Sequence, residues 1–360
     1  MLRLGVALRE RGHEVWLACP APPPGAGRSL ADEAVAAGLE PSLRLERGRG
    51  FRPLADRAAA VRLARFFGAH ELDVVHTWHT RDHLLALRAA GLRRRGTAVV
   101  RSWRQGEALA ASPWNRALFG PGTDGLLCVS PRTAERNRRL RGGRPIRSAF
   151  GAVDPKRFHP QAPDPAVRAA LGLAPEHRVV GIVARVQRQR RFELLLAAAA
   201  QLFARDPLAR LLVVGRGTRR VELAEEPARR LGIGARVVFA GYRVGDYADV
   251  LRAIDVFTFL VPGSDGTCRA LLEAAACGIP AVTTRRGALA EIVADGETGL
   301  LVDEEPHALA AAWEALLADP RRRATLGAAA HERARALFTP ERFADEALAL
   351  YAEARATRPT

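Results

Sequence analysis

The stretch Gly263-Ser264-Asp265-Gly266-Thr267-Cys268-Arg269-Ala270-Leu271-Leu272-Glu273-Ala274-Ala275-Ala276-Cys277-Gly278-Ile279-Pro280-Ala281-Val282 decides the reading of this chain. It follows the apolar run Asp255-Val256-Phe257-Thr258-Phe259-Leu260 and the turn residues Val261-Pro262, so a strand, a turn and then a helix from about Cys268 to Ala276 are predicted. The first N–H groups of such a helix have no partner inside it and point outward, toward any anion bound at that end. Asp265 then lies in the loop beside that anion. Glu273 lies one turn inside the helix, where a carboxylate can accept hydrogen bonds from sugar hydroxyls. On spacing alone a second reading stays open, in which Asp265 caps the helix and Glu273 is solvated.

Outward from this segment, apolar runs of five to seven residues rich in Val, Leu and Ile alternate with helical stretches, the pattern of βαβ units and parallel sheets covered on both faces. With 360 residues the chain is too long for one ordinary core and suits two domains. Arg210-Leu211-Leu212-Val213-Val214 running into Gly215-Arg216-Gly217, and Arg236-Val237-Val238-Phe239-Ala240 running into Gly241-Tyr242, read as buried strands with Gly turns. No apolar stretch is long enough to span a membrane, and the charged start Met1-Leu2-Arg3-Leu4-Gly5 does not read as a signal peptide, so a cytoplasmic location is expected. Cys19, Cys128, Cys268 and Cys277 are scattered without metal-ligand spacing, which argues against a disulfide framework or a zinc site.

The formal charge of +16 invites a nucleic-acid reading, but its distribution points elsewhere. Residues 1–155 carry 26 Arg against 14 Asp and Glu, so twelve of the sixteen excess charges belong to the first half. This asymmetry argues against nucleic acid. A bias of Arg over Lys also inflates the total, since Lys156 is the only lysine.

The segment around Glu273 resembles the donor-site motif of glycosyltransferase family 4, retaining enzymes of the GT-B fold: Glu, seven residues, Glu, then Ala-x-Ala-Cys-Gly-x-Pro-Val. The match covers Gly266, Leu271, Leu272, Glu273, Ala274, Ala276, Cys277, Gly278, Pro280 and Val282. Asp265 stands for the first Glu and is one methylene shorter; Thr267-Cys268 stands for the usual Phe-Gly. Val180-Gly181-Ile182-Val183-Ala184-Arg185 through Arg190 resembles the strand and loop that carry a diphosphate-gripping Arg and Lys, with Arg190 in the Lys position. Arg191 replaces a Gly there, so this loop is expected to open differently. Phe150-Gly151-Ala152-Val153-Asp154 through Pro160 resembles the link into the second domain.

The resemblance implies an α/β chain with two Rossmann-like, doubly wound parallel-sheet domains facing across a cleft. Its parts would be an acceptor domain (1–155), a nucleotide-sugar domain (156–337) and a last helix (338–360) packing back on the first. It implies metal-independent transfer of a sugar from a UDP- or GDP-linked donor, with no cofactor, to a glycan or lipid-linked acceptor in cell-envelope polysaccharide or lipopolysaccharide synthesis. For the basic first half it implies an anionic membrane surface as partner, at about 1 kcal/mol per basic residue near it. Arg185, Arg190, Asp265 and Glu273 would be catalytic. Gly215, Gly217, Gly241, Tyr242, Gly266, Thr267, Cys268, Arg269, Ala270 and Leu271 would line the donor.

In the first domain, His76, His79 and His83 fall at the end of the strand Asp73-Val74-Val75-His76-Thr77, a place for acceptor or donor-sugar contacts or for a purely structural role; no Cys or Glu completes a metal-ligand set with them. Many relatives carry a His after the next strand; here Ala98-Val99-Val100-Arg101-Ser102-Trp103-Arg104 has none, and Arg101 and Arg104 are the other candidates for an anionic partner. Relatives also begin with a strand and a Gly-Gly loop, whereas this sequence starts inside a helix, so the natural start is expected upstream of Met1. Two further readings stay open: a silent nucleotide-sugar-binding protein and a nucleotide-sugar epimerase of related fold.

Overall fold

The computed structural model describes residues 1–20, 29–45, 53–91, 96–262 and 266–357. The chain divides into two units, Met1–Ala152 with Pro340–Thr360, and Val153–Thr339. The boundaries lie a few residues from those read in the sequence. The Val153 amide donates to the Phe338 carbonyl at 2.7 Å, which ties together the two points where the chain enters and leaves the second unit.

The first unit carries two parallel sheets. The smaller pairs β1 (Leu17–Pro20) with β2 (Pro41–Leu45); the larger has the order β3 (Val74–Thr77), β4 (Ala98–Trp103), β5 (Gly125–Cys128), β6 (Ile146–Ser148). Helices enter from Ser-Pro starts: Ser112 caps Pro113–Phe119 and Ser130 caps Pro131–Arg141, each accepting from the amide three residues on. The helix Leu2–Glu10 begins at the second residue, and its buried face of Leu4, Ala7 and Leu8 joins Val100, Leu127 and the final helix Pro340–Ala356 in one core. That last helix is clamped to the sheet by Arg147, which pairs with Glu346 at 3.0 Å and Glu353 at 2.7 Å.

The second unit is one six-stranded parallel sheet built from β7 (Arg178–Val183), β8 (Ala209–Val214), β9 (Val237–Gly241), β10 (Val256–Phe259), β11 (Ala281–Thr284) and β12 (Gly299–Val302). Its order is β12-β11-β10-β7-β8-β9. Counted within the unit, this is the doubly wound arrangement 6-5-4-1-2-3, whose direction reverses between β7 and β10. Strands β10 and β11 are buried along their whole length, Thr258, Thr283 and Thr284 included, as strands covered by helices on both faces are. Trp313, fully buried beneath the sheet, satisfies its indole N–H on Thr258 Oγ1 at 2.8 Å.

Candidate functional site

In an open parallel sheet, ligands collect outside the carboxyl ends of the strands where the winding reverses. In the second unit that point is the mouth between β7 and β10. Arg185 leaves β7 as an exposed side chain with no ion pair among the described residues. Arg190 follows in a short 3-10 turn, half-buried; its Nη1 donates to the Val261 carbonyl at 2.9 Å, beside the loop that follows β10. The guanidinium also lies 5.8 Å from the Phe259 ring centroid. Both arginines therefore reach the same mouth.

Arg191 closes this short turn. It takes φ 58°, ψ 43°, the left-handed conformation that Gly would adopt at no steric cost. Its guanidinium is held by Glu193 and Glu304, each at 2.6 Å, and Glu304 also pairs with Arg286. Arg286 and then Arg191 hold the Glu304 carboxyl below the usual carboxylate range. The ion pairs thus hold the residue that adopts this left-handed backbone. Cys268 shares that conformation. It stands in a Gly position with φ 48°, ψ 37°, and is the N-cap of the helix Arg269–Ala276.

That helix is the one predicted, and it follows β10 in the chain. Asp265 lies outside the described residues. Gly266 (φ 61°), Thr267 and Arg269 surround the turn, while the side chains of Cys268 and Leu271 are buried and can offer a ligand only backbone. Glu273 is 4 % exposed, which excludes a solvated role. Its Oε2 accepts a hydrogen bond from Tyr247 Oη at 2.8 Å. Burial first, then the neighbouring Glu273, raises the Tyr247 hydroxyl well above its ordinary range, so it stays a donor. The sequence reading missed Tyr247, since nothing local connects a residue opening the helix Tyr247–Arg252 to a carboxylate 26 positions away.

The glycines after β8 allow a close backbone approach. A Cβ on Gly215 would sit 2.1 Å from the Ala184 carbonyl oxygen, and one on Gly217 would sit 2.4 Å from that of Val186. These residues let the β8 loop lie against the backbone that carries Arg185. Gly241 has φ 69° and open space around it. Beyond it Tyr242 is 63 % exposed, with the Arg216 guanidinium 4.8 Å from its ring centroid.

In the first unit the three histidines part company. His83 is fully buried, with Nδ1 on Thr77 Oγ1 at 2.9 Å and Nε2 on Thr123 Oγ1 at 2.8 Å. His76 has its ring nitrogens on Tyr351 Oη at 2.7 Å and Ser102 Oγ at 2.8 Å. Burial pushes both down to about 3, so they stay neutral. Their assignment to sugar contacts is corrected: one joins β3 to the helix Thr80–Gly91 and the segment before β5, the other joins β3 and β4 to the last helix. Of the three, His79 is exposed. Arg101 is buried in β4, and Arg104 is half-buried just past its end. No helix among the described residues is long and apolar enough to cross a membrane.

Two units of this kind, the second doubly wound with basic residues and a buried carboxylate at its reversal point, define an α/β protein suited to phosphate-bearing ligands. Comparison with known proteins makes this specific. Residues 1–157 match the family description "Glycosyltransferase Family 4" and residues 177–319 match "Glycosyl transferases group 1". The GDP-mannose-dependent alpha-(1-6)-phosphatidylinositol monomannoside mannosyltransferase of Mycolicibacterium smegmatis is 32% identical over 303 residues, covering 77% of this chain and 75% of that protein. The D-inositol 3-phosphate glycosyltransferase of Rhodococcus opacus is 36% identical over 289 residues, covering 78% of this chain and 62% of that one. A glycosyltransferase structure from Rickettsia africae superposes with a TM-score of 0.83 at 16% identity, covering 99% of this chain and 94% of that chain, which shows the fold.

The chain belongs to the group 1 glycosyltransferases of family 4, and its fold is GT-B. It spans 62% of the length of the Rhodococcus relative.

Proposed function

We propose that the chain transfers a glycosyl group, with retention, from a nucleoside diphosphate sugar held by the second unit to a glycan or lipid-linked acceptor held by the first, in assembly of a cell-envelope glycan. One observation carries this reading: at the reversal point of the doubly wound sheet, Arg185 and Arg190 leave β7 while the helix bearing the buried Glu273 follows β10. The two guanidinium groups would neutralise the diphosphate as it leaves, aided by the N–H groups that open the helix Arg269–Ala276. Glu273, steadied by Tyr247, would accept from the ribose hydroxyls. Asp265 would hold the donor sugar.

Retention follows if the acceptor hydroxyl attacks the face that the diphosphate leaves, its proton passing to the departing phosphate oxygen. No protein nucleophile is then needed, and the arginines supply the charge that a bound metal would otherwise bring. The relative named for GDP-mannose supports a nucleotide-sugar donor. The basic first unit would lie against an anionic membrane surface at the cytoplasmic face.

Calorimetric titration with UDP and with GDP tests the donor site. One of them is expected to bind, and Arg185→Ala is expected to weaken it at least tenfold. An unchanged affinity would remove Arg185 from the diphosphate site, and no binding of either nucleotide would overturn the reading. Turnover of donor with and without a lipid-linked acceptor then separates a transferase from a silent binder or an epimerase.

A further inference from the structure

Three arginines are buried among the described residues: Arg101, Arg141 and Arg252. Arg141 donates from Nη1 and Nη2 to the carbonyls of Phe119, Thr123, Asp124 and Pro145, leaving only its Nε unpaired. Arg252 has Asp249 and the carbonyls of Arg157 and His159. Arg101, 5 % exposed, differs: neither its Nε nor its Nη1 has a hydrogen-bond partner. Buried guanidinium donors without partners lose their hydration and regain nothing in return. Burial lowers the Arg101 pKa only to about 10, so the charge persists at neutral pH. Such a group calls for an anion.

The surroundings say which kind. Arg101 stands opposite Thr77 in the β3–β4 register, and Thr77 bonds His83 in the first turn of the helix Thr80–Gly91. Arg101 therefore lies on the sheet face covered by that helix, near the carboxyl end of the strands. Thr80, Asp82 and Gln105 nearby are exposed, which puts the guanidinium one layer beneath the surface. Asp82 is the carboxylate that acts on it most strongly, yet the two form no ion pair, and Arg104 adds a second positive charge. Buried guanidinium donors left unpaired close to the first turn of a helix suit an oxyanion such as a phosphate.

We propose that Arg101 is the oxyanion-binding residue of the first unit, and that the acceptor it serves carries a phosphate group. The assignment of the ligand as acceptor rests on the transferase reading above; the oxyanion site itself does not. A phosphate on a soluble ester and one on a lipid headgroup present the same chemistry to it.

Thermal unfolding of the full chain, followed by tryptophan fluorescence, tests this, because Trp16, Trp78, Trp103 and Trp114 lie in the first unit. Inorganic phosphate and glycerol 3-phosphate are titrated against acetate and chloride at equal ionic strength. The wild type is expected to gain Tm with the two phosphates and not with acetate. Arg101→Met is expected to be at least as stable as the wild type without phosphate, since it removes an unpaired buried charge, and to lose the phosphate response by tenfold or more in apparent Kd.

Wild-type indifference to phosphate, an equal response to acetate, or an unaltered phosphate response in Arg101→Met would each overturn the proposal. If Arg101→Met does not fold, Arg101→Lys serves instead: a weakened phosphate response sustains the proposal and an unchanged one refutes it. Co-sedimentation with phosphatidate vesicles, against glycerol 3-phosphate binding, tells a lipid-borne phosphate from a soluble one. Binding of phosphate without binding of UDP or GDP would sink the transferase reading while leaving the oxyanion site standing.

Discussion

Tyr247 Oη donates to Glu273 Oε2 at 2.8 Å, joining two side chains that arrive from separate helices of the second unit. Removing one partner from a buried polar pair costs more than the net worth of the bond, about 1–3 kcal/mol, because the other is left desolvated. Tyr247→Phe keeps the ring, which packs edge-on against Phe158 with centroids 5.8 Å apart, and deletes only the hydroxyl. Chemical denaturation should show a loss within that interval. Titration with the nucleotide that binds should show weaker affinity, since the carboxylate loses its support. A variant as stable as the wild type within about 0.5 kcal/mol would mean that Glu273 needs no donor from Tyr247.

Gly215 and Gly241 both have positive φ, 143° and 69°, but only the first is hemmed in. Gly215→Ala drives a methyl into the Ala184 carbonyl, so the loops that carry Arg185 and Gly217 must separate. A loss on the order of 3 kcal/mol or more is expected, with nucleotide binding impaired alongside it. Gly241→Ala meets nothing and should cost about 1–2 kcal/mol through its backbone conformation alone. Urea denaturation of the two variants side by side checks the order; equal losses would mean that the β7 and β8 loops yield easily.

Arg191 and Cys268 offer the complementary test, because each holds a left-handed conformation with a Cβ in place. Arg191→Gly relieves the backbone and forfeits partly exposed ion pairs, two effects of opposite sign, so its stability should stay within about 1 kcal/mol of the wild type. Arg191→Ala keeps the strain and loses the pairs, and should be the less stable of the two. Cys268→Val adds β-branching to the same backbone and should cost about 2 kcal/mol or more by thermal melts, whereas Cys268→Gly should not.

Much of this arrangement was legible in the residues. The turn chemistry before Cys268, the apolar strands and the Gly positions located the helix Arg269–Ala276 and the mouth of the second sheet, because local propensity and tertiary fold agree there. What escaped reading was long-range. Nothing near Gly215 in the sequence says that its missing side chain makes room for the Ala184 carbonyl. Likewise nothing near Arg191 points to Glu304, whose charge helps to hold it and which lies 113 residues away. The three histidines at the end of β3 read as a cluster; strand and helix geometry turned His83 into the sheet–helix interface and His76 toward Tyr351.

Those two histidines give the first unit a pH dependence whose sign can be worked out. Burial depresses both to about 3, against an ordinary value of 6.5. Each is stabilising in its neutral, hydrogen-bonded form, and that contribution is fully present above pH 6.5. As the pH falls below 6.5 the unfolded chain takes up protons that the folded chain refuses, so stability drops toward pH 3. Two such groups give a slope of roughly 2.7 kcal/mol per pH unit at its steepest. Urea denaturation read by tryptophan fluorescence between pH 5 and 6.5, above the carboxylate range, isolates the effect in the unit that holds four of the five tryptophans. His83→Asn lowers stability outright by breaking the links to Thr77 and Thr123, and it should also cut the slope by about half. A slope unchanged by His83→Asn would show that His83 takes up its proton in the folded state and that its burial is less complete than its contacts require.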